Sequence, residues 1–187
     1  MRKPVLCVLA AVLAASALIV TAHAKDQALP EVGQPAPNFT LPSQDGTKIA
    51  LSSLRGHWVV LYFYPKDMTQ GCTIEAHNFQ RDLSLYEAKN AVILGVSVDS
   101  AESHQQFCTK ESLTFHLLSD TGHKVVQKYG SMNVNSATPI ADRNTFLINP
   151  EGIIVSEWTK VSPAAHSAEV LATLPAGQSP ATASSAH

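Results

Sequence analysis

Cysteine is scarce in this chain, with three in 187 residues. None stands in a Cys-x-x-Cys pair, because Glu75 occupies the position three after Cys72. That pattern argues against dithiol chemistry of the two-cysteine kind. A Cys-x-x-x-Cys copper-chaperone pair is missing too, since position 76 is Ala. Lys and Arg number 13 against 15 Asp and Glu, and no basic run appears, so a nucleic-acid face has no support. Eight histidines are present, but none follows another at His-x-x-x-His spacing, and no metal site or cofactor is read from them. Aromatics make up only 6%, yet Trp58, Tyr62, Phe63 and Tyr64 stand within one seven-residue run. No internal repeat is visible.

Long apolar runs are also absent, save one at the start. Arg2 and Lys3 precede an apolar stretch from Pro4 to about Val20, and Ala22-His23-Ala24 follows. Residues 1–24 read as a secretory signal peptide cut after Ala24, placing the protein in the periplasm or otherwise outside the cytosol. The rival reading is an uncleaved anchor, for which the run is marginal against the ~20 residues a bilayer needs. Cleavage takes Cys7, Arg2 and Lys3 with it. The mature chain then carries 13 − 2 = 11 basic and 15 acidic residues, a charge of −4, with no second run of spanning length. Two cysteines remain, Cys72 and Cys108. In an exported protein such an even pair points to a disulfide, permanent or redox-cycling.

The rest of the chain reads as one domain over residues 35–174, after a flexible leader at 25–34 and before a disordered tail at 175–187. Ala36–Pro42 and Lys48–Leu51 flank Asp45-Gly46 as a hairpin. Trp58–Tyr64 is an unbroken apolar strand, suited to the centre of a covered sheet. A helix follows from Thr73 to about Lys89, with Ile74, Ala76, Phe79, Leu83 and Tyr86 as its apolar members. Ala91–Val98 is a second central strand. Asp99 and Ser100 cap a helix from Ala101 to about Glu111. Then come a short strand at His116–Asp120, a short helix at Gly122–Tyr129, strands at Arg143–Asn149 and Ile153–Trp158, and a helix at Ala164–Leu174. Alternating βαβ units closed by a β-hairpin and a helix make an α/β, thioredoxin-like pattern. The expected architecture is a central mixed sheet flanked by helices, with an added N-terminal β-hairpin.

The organising stretch is Tyr62 to Glu75. A strand breaks at Pro65, loops through polar residues, and delivers Cys72 to the start of a helix. Free N–H groups and the positive end of the helix dipole favour an anionic sulfur there. The thiolate is the nucleophilic form of cysteine.

These residues resemble a known family. Pro65-x-x-x-Thr69-x-x-Cys72 is similar to the peroxiredoxin active-site motif. The wider stretch Leu61–Thr73 resembles the Q-type branch, also called bacterioferritin comigratory proteins. The likeness runs from about Gly33 to about Trp158 and includes Val98-Asp99-Ser100 through Phe107, Leu117–Asp120, and Arg143 with Thr145–Ile148. It implies a thiol peroxidase acting on hydrogen peroxide and organic hydroperoxides. Cys72 would be the attacking sulfur. Thr69 would accept from the peroxide and orient it, and Arg143 would stand beside the sulfur and stabilise the transition state. Pro65 would shield the pocket. The leading hairpin is the addition that such proteins carry.

After attack Cys72 would be a sulfenic acid, which a second thiol condenses to a disulfide. Many Q-type members place that thiol five residues downstream, where this chain has His77. Cys108 matches another subset of the family, with the resolving thiol on the next helix. The resemblance therefore implies a Cys72–Cys108 disulfide, re-reduced by a thioredoxin- or glutaredoxin-like partner, in a monomer. A bridge needs Cα atoms within about 7 Å, so the first turn after Cys72 and the Ala101–Glu111 helix are both expected to unwind locally. Asp67 and Glu75 suggest a carboxylate pair, but an acid beside Cys72 works against ionisation, and Glu75 reads instead as a first-turn acid complementing the dipole. The chain lacks the Gly-Gly pair and C-terminal Tyr-Phe of members sensitive to overoxidation, which implies a robust enzyme. The competing readings are a thioredoxin-like thiol-disulfide oxidoreductase and a non-catalytic binding module of the same fold.

Overall fold

The structure, a computed structural model, describes residues 28–176. The expected signal peptide, the first residues of the leader and most of the expected tail lie outside them. The centre of the domain is a five-stranded sheet. These strands are β3 (Trp58–Phe63), β4 (Ala91–Ser97), β5 (His116–Ser119), β6 (Thr145–Ile148) and β7 (Ile154–Trp158). β3, β4 and β5 run parallel; β6 pairs antiparallel with β3, and β7 pairs antiparallel with β6, giving the strand order β5-β4-β3-β6-β7. Two crossover helices make the parallel half: α1 (Gln70–Glu87) and α2 (Ala101–Glu111). A short helix, α3 (Lys124–Lys128), follows β5, and α4 (His166–Thr173) closes the domain. A separate hairpin pairs β1 (Thr40–Pro42) with β2 (Lys48–Ala50). Its turn has Gly46 at φ 82°, the left-handed conformation that Asp-Gly turns use. The mixed α/β sheet with an added hairpin is the expected fold.

Alternation along β3 divides the molecule. Val59, Leu61 and Phe63 face one core, built with the hairpin, α3 and Tyr129. Val60 and Tyr62 face the other, built with α1, α2 and α4. An apolar strand with both faces covered explains the unbroken hydrophobic run. Cys72 and Cys108 both belong to the second core, so the sheet puts the two sulfurs on one side. Gly95 in β4 is what lets this core close: a Cβ there would meet the Tyr62 ring and Leu117 at 2.7 Å.

Three details differ from the sequence reading. α1 begins at Gln70, so Cys72 lies inside its first turn and Glu75 beyond it. Its buried stripe is Cys72, Ala76, Phe79 and Tyr86, while Ile74 is exposed. The leader is docked where it is described: Gly33 donates to the Ile154 carbonyl, and Ile154 donates back to Gln34. Leu29 packs against the first core.

Candidate active site

The loop between β3 and α1 carries Pro65, Asp67 and Thr69. Met68 within it has φ 59°, a conformation that costs a non-glycine residue ~1 kcal/mol or more. Asp67 holds that turn. Its backbone N–H donates to Asp99 Oδ2 at 2.9 Å, and its carboxylate accepts from Tyr64 Oη and Ser103 Oγ, each at 2.7 Å. His104 Nδ1 lies 2.8 Å from the same carboxylate. Burial alone would raise the Asp67 carboxyl, but the His104, Tyr64 and Ser103 contacts outweigh it and hold it below its ordinary value.

Thr69 caps α1 by position, with an extended backbone, but its side chain does not bond the helix. The hydroxyl donates to the Lys66 carbonyl at 3.0 Å. With its one proton so engaged, Oγ1 faces any ligand as an acceptor.

Cys72 is 2% exposed. Arg143 reaches it from the residues just before β6, donating from Nη2 to Sγ at 3.4 Å. The Arg143 backbone is fixed because Val161 donates to its carbonyl and the next residue, Asn144, accepts from Phe63 N–H. Gly71 leaves room for the guanidinium, since a Cβ there would stand 3.2 Å from Nη2. The other arm of the guanidinium pairs with Glu75 Oε2. Glu75 is fully buried; burial drives its carboxyl up to about 7, and Arg143 offsets part of that rise.

This overturns the reading of Glu75 as a first-turn acid that complements the helix dipole. Glu75 lies one turn beyond Cys72 on the same helix face, and it holds the arginine rather than the dipole. A carboxylate on an apolar stripe needs a cation, and that was the signal in the sequence. Reading residues singly also missed the Tyr64–Asp67–Ser103–His104 cluster.

The fold brings Cys72, Arg143 and Glu75 together, with Thr69 at the mouth of the same helix. Pro65 is half-buried. Pro65 and Arg143 line a cleft of about 650 Å³ with Leu29, Asp142, Asn144 and Val161. Cys72 and Thr69 are not in its wall.

Cys108 sits near the end of α2, and both cysteines are buried free thiols, so the expected Cys72–Cys108 disulfide is not formed in this structure. Burial, together with the Asp67 charge, pushes the Cys108 thiol up to about 11. In the folded helix Cys108 is therefore protonated and a poor nucleophile. Among the described residues no group of three or more His, Cys, Asp or Glu could hold a metal ion, and no helix is long and apolar enough to cross a membrane.

A profile of the AhpC/TSA family matches residues 32–157. Peroxiredoxin Bcp of Bacillus subtilis is 43% identical over 148 residues, covering 77% of this chain and 94% of that protein. Among solved structures, a variant of Xylella fastidiosa PrxQ superposes with TM-score 0.75 at 35% identity, covering 79% of this chain and 96% of that one. The bacterioferritin comigratory protein of Xanthomonas campestris gives TM-score 0.69 at 38% identity, covering 73% and 89%. Its structures are described as trapped intermediate and ligand complexes bearing on alkyl peroxide reduction.

Proposed function

The chain belongs to the AhpC/TSA family, in its Q-type, bacterioferritin comigratory branch, and we propose that its peroxidase cycle runs through Cys72 and Cys108. It is a thiol peroxidase. In our reading the Cys72 thiolate attacks the terminal oxygen of a hydroperoxide. The S–O bond forms as the O–O bond breaks, and the leaving oxygen departs as water or an alcohol after taking a proton. Arg143 stabilises charge as it moves from sulfur to oxygen, and the backbone N–H groups at the start of α1 add fixed donors. Thr69, as an acceptor, orients the peroxide. Pro65 shields the sulfur on the cleft side. Organic hydroperoxides are substrates as well as hydrogen peroxide, a reading supported by the Xanthomonas campestris relative, whose structures bear on alkyl peroxide reduction.

The sulfur is left as a sulfenic acid. Cys108 then condenses with it, giving a disulfide and releasing water. A thioredoxin- or glutaredoxin-like dithiol takes the disulfide back to two thiols and is itself oxidised. The protein acts as a monomer, exported after cleavage behind Ala24. The charged start, apolar run and Ala22-His23-Ala24 site support export.

The observation that carries this reading is the 3.4 Å approach of Arg143 Nη2 to Cys72 Sγ. Peroxide consumption with dithiothreitol as reductant tests it. Turnover in the wild type and its loss in Cys72→Ser are expected; unchanged turnover in the variant removes Cys72 from the mechanism.

A further inference from the structure

The helix that carries Cys108 has few apolar holds. Of its eleven residues, Phe107, Cys108 and His104 are buried, and only Phe107 is a large hydrophobe. Its other fixings are polar, and at its first turns they converge on one residue of the catalytic loop. Asp67 accepts from Ser103 Oγ and lies against His104 Nδ1, both on α2. The Asp67 N–H donates to Asp99, just before the Ser100 cap of α2. Tyr64 Oη, at the end of the central strand, donates to the other carboxylate oxygen and approaches His104 Nδ1 at 3.2 Å. His104 and Tyr64 are 0% and 1% exposed, and Asp67 6%. Such bonds to a buried carboxylate are the strong class.

We propose that this Tyr64–Asp67–Ser103–His104 cluster is a latch that holds the α2 helix closed on the catalytic loop, and so sets how fast Cys108 reaches the Cys72 sulfenic acid. The proposal rests on Cys108 being the resolving thiol. Asp67 lies five residues before Cys72, and His104 four before Cys108, so one set of bonds joins the two segments that must move. While the latch is closed, Cys108 is a buried thiol beside a carboxylate. Releasing α2 exposes the sulfur to water and takes it away from Asp67. The same release commits the sulfenic acid to disulfide rather than to further oxidation by a second peroxide. Asp67 and its partners are thus positioning residues for the second half of the cycle, and they touch neither peroxide nor reacting sulfur.

Hydrogen exchange on the reduced full-length protein tests this. Ser103→Ala, His104→Asn and Asp67→Asn are compared with wild type and with Val126→Ala, a cavity variant in the opposite core. A subglobal opening of α2 responds to its own contacts and not to a defect elsewhere in the domain. Loss of one bond to the buried carboxylate should speed exchange of the 107–111 amides roughly tenfold. Val126→Ala should leave those amides unchanged. The latch variants should also close the Cys72–Cys108 disulfide faster after one equivalent of hydrogen peroxide, and need more peroxide to reach sulfinic acid. Exchange at wild-type rates in the latch variants, or an equal rise in Val126→Ala, overturns the latch. Faster exchange with no Cys72–Cys108 link in any protein overturns Cys108 as resolver, while the exchange still reports a held helix. Ser103→Ala deletes a single hydroxyl and decides the matter alone if the other two variants do not fold.

Discussion

Arg143 touches Cys72 across 71 residues of sequence, donating Nη2 to Sγ at 3.4 Å while its other arm is held by the buried Glu75. The guanidinium is thereby shared between the buried Glu75 carboxyl and the Cys72 sulfur. A planar fork with several donors can serve both at once, whereas an ammonium is a point charge. Arg143→Lys should lower kcat/KM for hydrogen peroxide by roughly 100- to 1,000-fold, as loss of a transition-state donor does. Arg143→Ala should add a stability loss by leaving Glu75 buried and unpaired. Steady-state peroxide kinetics and thermal melts separate the two effects.

Glu75 makes stability depend on pH. Its carboxyl titrates at about 7 in the fold against an ordinary 4.5. Between those values the folded chain binds a proton that the unfolded chain has lost. Stability from this group is therefore fully present below about pH 4.5 and declines as pH rises through 7, by on the order of 3 kcal/mol in all. Melting temperatures of wild type and Glu75→Gln across that range should show a decline in the wild type that the variant lacks.

The proposed acceptor role of Thr69 follows from its hydroxyl proton being given to the Lys66 carbonyl. Thr69→Ser keeps that arrangement and should retain most activity. Thr69→Val keeps the shape without the oxygen and should lose roughly 100-fold in kcat/KM, read with the same peroxide assay.

Gly95 lies beneath Tyr62, whose ring would meet an added Cβ at 2.7 Å. That ring is fully buried and stacked on Phe79 at 4.8 Å, so it has nowhere to go. Gly95→Ala should destabilise the fold by about 1–3 kcal/mol in denaturant titration.

The elements were legible where local chemistry decides them. Ser100 capping a helix that ends at Glu111 was readable, and Ser103 N–H does bond the Ser100 hydroxyl. So was the central strand, because both its faces are covered. The start of α1 was not, since Thr69 caps it by backbone geometry alone and sends its hydroxyl to Lys66. The site was legible in part: Cys72, Thr69 and Pro65 share one segment, and Arg143 came from resemblance. Glu75 was misjudged, and Asp67 was left without a role, because a carboxylate's role depends on what faces it. Their partners, Arg143 and His104, lie 68 and 37 residues away.

In the proposed cycle Cys72 takes the oxygen and Cys108 removes it. Rapid-quench mass spectrometry of the fully reduced protein, mixed with one equivalent of hydrogen peroxide, follows both events. Oxygen should appear first on the Cys72 peptide, then be replaced by a Cys72–Cys108 cross-linked peptide, and Cys108→Ser should stop at the sulfenic stage. A wild-type protein that carries only sulfenic or sulfinic acid, with Cys108 still free, would contradict it.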